Sequence, residues 1–241
     1  MSSAPLMSSA PLLRPVPLIA SLVTVSGLLM GCSATADPRT ETRSYTVSEQ
    51  VRNLTVHNAG GDIEVSAGSG TAVRVTEILD YTAHKPTTGH ELVSGDLHIT
   101  ASGCGDTGAR ACGVRFRIEV PDGVPVKLDT DGGDILVRKL SAATEATTGG
   151  GSVTVEDSSA RSLVAHTSGG DIAARMTTAP DRLSATTDGG DVSVRLPGGP
   201  YSLDVATAAG SRTVGVAHAP ASPHKVKVYS KGGDVRVVPV A

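Results

Sequence analysis

Asp134, Asp171, Asp191 and Asp234 each follow a pair of glycines directly, and Asp62 follows Gly60 and Gly61 in the same way. Carboxylates repeated at glycine turns can do three kinds of chemistry. Stacked in register, they can supply oxygen ligands to calcium, as nonapeptide β-rolls do. Two of them can act as acid and base on a glycosidic bond, and Asp188 with Asp191 is the nearest such pair. They can also accept backbone N–H groups at the turn and do nothing else. The period here is about twice that of a nonapeptide roll. Ser152 and Ser211 stand at the same place in two further turns, which breaks a charge column but keeps an acceptor. The Asp188–Asp191 spacing recurs at Asp131 and Asp134. These facts favour the turn role, so neither a metal nor any other cofactor is expected.

Other chemistry finds little support. The chain contains no G-x-S-x-G elbow, H-E-x-x-H pair or phosphate-binding loop. Its histidines, His57, His84, His90, His98, His166, His218 and His224, are scattered, and most are expected in loops or on outward positions. A non-enzyme is expected. The alternatives are a carbohydrate-active β-helix enzyme and a calcium-stabilised binding module. A net charge of −3 gives no electrostatic reason to expect nucleic acid.

Three cysteines remain to be placed. Cys104 and Cys112 flank the short segment GDTGARA and are expected to form a disulfide. Zinc would need two further ligands at short spacing, and none accompanies them. Cys32 ends an N-terminal segment of a different kind. MSSAPL occurs twice in tandem, so translation can begin at Met1 or Met7. Arg14 is the sole charge before an apolar run from Val16 to Leu29, too short for the ~20 residues of a membrane span. The run ends in Leu29, Met30, Gly31 and Cys32, which resembles the bacterial lipobox. That resemblance implies cleavage before Cys32, a diacylglyceryl group on its sulfur, and anchorage on the extracytoplasmic face of the cell membrane. Residues 1–31 are then a signal peptide. Residues 32–44, small and polar with Pro38, are a tether.

The elements that position the aspartates follow from a repeat. The last glycine of each turn is Gly133, Gly151, Gly170, Gly190, Gly210 or Gly233, at spacings of 18, 19, 20, 20 and 23 residues. Three residues before these glycines stand Thr130, Thr148, Thr167, Thr187, Thr207 and Ser230. Five and seven before stand mostly aliphatic residues, such as Leu163 and Ala165 or Val226 and Val228. Polar residues alternate with them, which is the signature of a strand with one buried face. Beyond the turn the apolar positions fall two and four later, as in Ile172 and Ala174 or Val192 and Val194. The parity has switched, so the chain must turn a corner, which glycine permits by tolerating φ > 0.

Strand, corner, strand and return loop in about 20 residues make one coil of a two-sheeted β-solenoid. Six such coils stack to roughly 29 Å at a 4.8 Å spacing. A thin interior of Val, Leu, Ile, Ala and Thr agrees with the absence of Trp and the single Phe. Arg212 breaks the apolar pattern, and a bulge or widened corner is expected there. Pro239 is placed to blunt the last edge strand. Residues 121–241 form the regular array. Residues 45–120, with GGDIEV at 60 and SGDLHI at 94 echoing the unit, supply the first coils and an N-terminal β cap.

The GGD turns, together with the segment IEVPDGVPVKL, resemble a bacterial domain-of-unknown-function family labelled "putative adhesins". The resemblance covers residues 45–240. It implies an all-β, solenoid-like fold in a cell-envelope setting, with no catalytic residues to transfer. The expected partners are the membrane, through the N-terminal lipid, and an unidentified envelope protein or surface. The site residues are then Cys32 for lipidation, Cys104 and Cys112 for the disulfide, and structural turns at Gly61–Asp62, Gly133–Asp134, Gly170–Asp171, Gly190–Asp191 and Gly233–Asp234.

Overall fold

Twenty strands are divided between two ten-stranded sheets in a computed structural model that describes residues 37–82, 84–103 and 112–240. The first part comprises β1 (Arg39–Val47), β2 (Asn53–Asn58), β3 (Ile63–Ala67), β4 (Val73–Tyr81), β5 (Thr87–Val93), β6 (Asp96–Ser102) and β7 (Cys112–Val120). The regular part begins with β8 (Val126–Thr130), β9 (Ile135–Arg138), β10 (Thr144–Thr148), β11 (Val153–Ser158), β12 (Ser162–Thr167) and β13 (Ile172–Met176). It continues with β14 (Arg182–Thr187), β15 (Val192–Leu196), β16 (Pro200–Thr207), β17 (Arg212–Val214), β18 (Ala217–His218), β19 (Lys225–Ser230) and β20 (Val235–Pro239). No helix occurs among the described residues.

One sheet runs β1-β4-β7-β3-β9-β11-β13-β15-β20-β17 and the other β18-β16-β19-β14-β12-β10-β8-β2-β6-β5. The strands of each coil lie in different sheets, and neighbouring coils pair in parallel. This is the all-β solenoid expected from the repeat. Equivalent residues superimpose. Leu163 is in register with Leu183, Ala165 with Ala185, and Ile172 with Val192, and all six are buried. Each fully buried Leu or Ile contributes about 1.5–3 kcal/mol of apolar transfer energy. The ladders therefore make every interior coil depend on both neighbours.

The coils do not stack in chain order. The last coil, β19–β20, sits between β14–β15 and β16–β17. At the other end, β2–β3 sits between β6–β7 and β8–β9. Pro239 pairs with Leu196 of β15, in a strand that is not the last of its sheet because β17 lies beyond it. Nor does Arg212 mark a bulge. It stands in register with Val235 at the terminal coil and donates from Nε to Val205 O at 2.8 Å. An arginine in an apolar column is tolerable only where no further coil covers it. The coil that carries it must be the end one.

The opposite end is closed by antiparallel strands. β1 pairs with β4, β4 with β7, and β5 with β6. SGD at 94 is a hairpin turn between β5 and β6, not a solenoid corner. Ser94 and Gly95 both have positive φ, 52° and 89°, as a twisted two-residue hairpin requires. β1 begins at Arg39, so residues 39–44 belong to the sheet and not to the tether drawn from sequence. On the face of β1 shared with Tyr45 and Val47 lie Glu41 and Arg43. Glu41 contacts Arg43 at 2.7 Å and Lys85 at 2.5 Å. Charges aimed inward at an end coil oppose addition of another strand. Tyr45 stacks on His90 of β5 with ring centroids 4.2 Å apart, bridging the two sheets while His90 stays exposed. Burial, and then the Glu77 carboxylate, push the Tyr45 phenol above its ordinary range.

The hydrogen bond from Lys85, then that from Arg43, hold the Glu41 carboxyl down to about 2. A carboxylate depressed in the fold contributes stability above its unfolded midpoint and loses it as pH falls through the folded one. The end closure is therefore expected to hold through mild acid and loosen near pH 2. Lys85→Ala should move the Glu41 midpoint upward in an NMR titration of side-chain carboxyls. An unmoved midpoint would contradict the pairing.

Candidate functional site

The corners form the most regular polar feature of the molecule. Thr130, Thr148, Thr167, Thr187 and Ser230 are all buried, at 1% exposure or less. Each hydroxyl donates to the corner glycine carbonyl of the neighbouring coil. Thr148 reaches Gly133 O at 2.8 Å, Thr167 reaches Gly151 O at 2.7 Å, and Thr187 reaches Gly170 O at 2.9 Å. The same hydroxyl oxygen accepts from the N–H of its own corner glycine, at 3.1 Å for Gly170 and 3.2 Å for Gly190. The ladder then follows space and not sequence. Ser230 donates to Gly190 O at 2.7 Å, and Thr207 donates to Gly233 O at 2.7 Å. At the other end Asn58 takes the threonine's place, donating to Gly61 O at 2.9 Å and to Val114 O at 2.7 Å. Asn58 heads the column unseen in the repeat because its coil lies far from the array in sequence.

The glycines answer to the same stacking. A Cβ on Gly133 would lie 2.1 Å from Gly61 O, and one on Gly170 would lie 2.2 Å from Gly151 O. Gly151, Gly190, Gly210 and Gly233 are confined in the same way. Of the corner glycines in the stack, Gly61 alone has positive φ, 113°. Glycine is thus required at the other corners by close backbone approach and not by the left-handed conformation expected from sequence. A Cβ on the neighbouring Gly132 would meet nothing within 4 Å, so the first glycine of that corner is not confined.

The aspartates bind across coils. Asp134 Oδ1 accepts the N–H of Ser152 at 2.7 Å, Asp171 Oδ1 that of Asp191 at 2.8 Å, and Asp191 Oδ1 that of Asp234 at 2.7 Å. Asp62 and Asp234 do the same for Asp134 and Ser211. Ser152 Oγ accepts from Asp171 N at 3.2 Å, which is why serine can replace aspartate here. The acceptor role expected from sequence is present, but it serves the next coil and not the residue's own turn. Among the described residues no group of three His, Cys, Asp or Glu has a geometry that could hold a metal ion. Asp188 stands where other coils carry Asp131, Gly149, Ser168, Ala208 or Lys231. Its position in the unit accepts almost any side chain, unlike the columns beside it.

The remaining sequence-derived residues are dispersed. Cys112 opens β7, whereas Cys104 and Cys32 lie outside the described residues. His57 Nδ1 lies 3.7 Å from Asp129, and His218 Nδ1 accepts from Leu203 N at 3.2 Å. The hollows on the outer faces are shallow. One of about 340 Å³ lies over Asn53, Thr55, Lys127, Glu145 and Ser162. An ion-pair chain crosses the other face, where Arg138 joins Glu64 to Glu156, the latter at 2.9 Å.

These features define a two-sheeted parallel β-solenoid whose corners are locked by a hydroxyl–glycine ladder. The chain belongs to the Toastrack DUF4097 family, whose profile matches residues 39–238. Among solved structures, it is similar to one described as a "putative cell adhesion protein" from Clostridium sporogenes. The identity is 13%, over 85% of this chain and 100% of that one, with a TM-score of 0.52. A "putative adhesin" from Bacteroides fragilis matches at 14% identity over 83% and 97% of the two chains, with a TM-score of 0.47. A comparison with curated protein sequences finds no significant match.

Two substitutions within one corner separate stacking from turn conformation. Gly133→Ala should cost about 3 kcal/mol or more, the upper end of overpacking, whereas Gly132→Ala should stay within about 1 kcal/mol. Urea denaturation of both variants reads the difference, and equal losses would contradict the stacking account. The hydroxyl ladder has its own test. Thr187→Val should lose about 1–3 kcal/mol by stranding Gly170 O and Gly190 N, while Thr187→Ser stays near wild type. If the valine variant matched the serine variant, the ladder would carry no stability.

Proposed function

We propose that this chain is a non-enzymatic, lipid-anchored protein of the cell envelope whose solenoid presents broad faces for adhesion or protein contact. One observation carries the reading. The polar groups repeated most regularly, the corner hydroxyls and the aspartate Oδ1 atoms, are bonded to neighbouring backbone. They hold the scaffold, and what remains for a partner is a pair of wide outer faces with shallow hollows. The adhesion wording attached to the structural relatives agrees with a surface role.

In this reading the first 31 residues are a signal peptide and Cys32 carries the lipid that holds the chain at the extracytoplasmic side of the membrane. Cys104 and Cys112 close the loop that links β6 to β7, where a disulfide would restrain the coil next to the end closure.

A Cys32→Ser variant, expressed beside the wild type in a lipoprotein-processing bacterium, should leave the membrane fraction and lose incorporation of labelled palmitate. Retention of both properties would overturn the anchor.

A further inference from the structure

On the outer face of the sheet that contains β8, β10, β14 and β19, opposite charges answer one another near the middle of the stack. Lys127 of β8 is in register with Glu145 of β10 and lies 3.0 Å from it. His57 of β2 lies 3.7 Å from Asp129 of β8. The coils of β14 and β19 depart from that pattern. Arg182 and Lys225 stand in register on these neighbouring strands, and Lys227 follows two residues along β19, about 6.6 Å away. All three are exposed, and none makes an ion pair among the described residues. Asp181, next to Arg182, is engaged by Arg161 at 3.6 Å and by His224 at 3.8 Å. Asp204 of β16 is in register with Lys227 yet forms no ion pair with it. Like charges side by side weaken a sheet, so the scaffold gains nothing from this arrangement. The same strand carries Tyr229 two residues beyond Lys227 and on the same face. The chain has four tyrosines and one phenylalanine. Tyr201 and Phe116 are buried, and Tyr45 and Tyr81 pack against the core. Of these rings Tyr229 alone lies on an outer face. Its neighbours in register are small, Thr186 on β14 and Ala206 on β16. The ring therefore borders an open hollow of about 270 Å³, with Lys227 and Asp204 at the rim.

We propose that this strip binds an acidic polysaccharide lying along β19. A pyranose has an apolar C–H face and a rim of hydroxyls. The face lies on the Tyr229 ring, and the rim has the Thr186 hydroxyl and the Asp204 carboxylate as hydrogen-bond partners. Carboxylate or sulfate groups on the adjoining sugars meet Lys227, then Lys225 and Arg182, in charge-assisted bonds. The small residues beside the ring, Thr186 and Ala206, leave it open to a ligand from either side of the strand. A nucleic-acid strand fits the strip less well. Successive bases need successive aromatic platforms, and only one is present, while Asp204 repels phosphate. The site narrows the contact surface proposed above to one chemistry and rests on that reading of the outer faces. It does not depend on the lipid anchor, which the Cys32→Ser fractionation tests separately.

Isothermal titration calorimetry of the full chain in mild detergent tests it. Hexagalacturonate is the carboxylated probe, sulfated maltohexaose the sulfated one and maltohexaose the neutral one. At least one acidic probe should bind about tenfold or more tightly than maltohexaose, and which of the two binds tells carboxylate from sulfate. That binding should weaken at about 1 M salt, where the screening length is about 3 Å. Tyr229→Ala should weaken it about tenfold and leave its salt dependence unchanged. Lys225→Gln with Lys227→Gln should weaken it and flatten that dependence. Both variants alter outward side chains only, and circular dichroism checks their fold. No binding of either acidic probe up to its solubility limit overturns the proposal. So does binding of maltohexaose, oligo-dT or poly-glutamate as tight as that of the acidic sugar. A folded variant of either kind that binds as tightly as wild type overturns it too, and should Tyr229→Ala fail to fold, the lysine variant decides.

Discussion

Backbone contact at the corner is the constraint from which the rest of the structure follows. Gly170 lies so near the carbonyl of Gly151 that no side chain fits between them. That proximity brings the Gly170 carbonyl within reach of the Thr187 hydroxyl from the coil beyond and the Gly151 carbonyl within reach of Thr167. One requirement therefore dictates three residue types at once. A glycine must close the corner, a short hydroxyl must stand three residues before it, and an acceptor must follow it. The β-branched threonine meets its share twice, because its methyl packs inward while its oxygen bonds to backbone. Once the corners coincide, the flanking strands are in register, and the aliphatic ladders need no further instruction.

The same constraint orders the coils. The unit at 225–239 carries Ser230, Gly233 and Asp234, so it can be stacked upon from both sides. The unit at 200–214 has Ala208 and Ala209 in its corner and Arg212 in the apolar column. It can stack on Gly233 by one face only and so takes the end. Chain order is overridden because the intervening segment, with its short strand β18, is long enough to return. At the opposite end the Glu41, Arg43 and Lys85 cluster plays the part of Arg212, placing charge where another coil would otherwise add. Charge thus stands at both edge strands of one sheet, β1 and β17.

Much of this was legible in sequence, and the failures have a common cause. The repeat length, the parity switch at the glycines and the inward columns could be read directly, since each is a local pattern. Asn58, the exchange of coil order and the antiparallel closure could not, because each depends on which distant segment lies alongside. The glycines were located correctly and explained wrongly. A local reading sees a turn and assigns it positive φ, whereas the crowding comes from another coil. Lys139 and Asp157 escape a local reading for a different reason. Both adopt positive φ without being glycine, 58° and 53°, and at Asp157 the pairing with the next coil shifts register. An extra residue in the two return loops is visible in the spacing only after the coils are aligned. The aspartate column is legible as an acceptor, but its donor lies one coil away.

The proposed function rests on a division of labour between corner and face, with the repeated polar groups committed to the scaffold. The central claim is that exposed-looking corners are structural ladders, and amide hydrogen exchange measures this most directly. The N–H groups of Gly170, Asp191, Asp234 and Gly233 lie at the surface in turns, yet each donates to a ladder acceptor. They should exchange as slowly as amides in the middle of β12 and β14. Exchange at the rate of an open loop would mean that the corners do not hold the coils together.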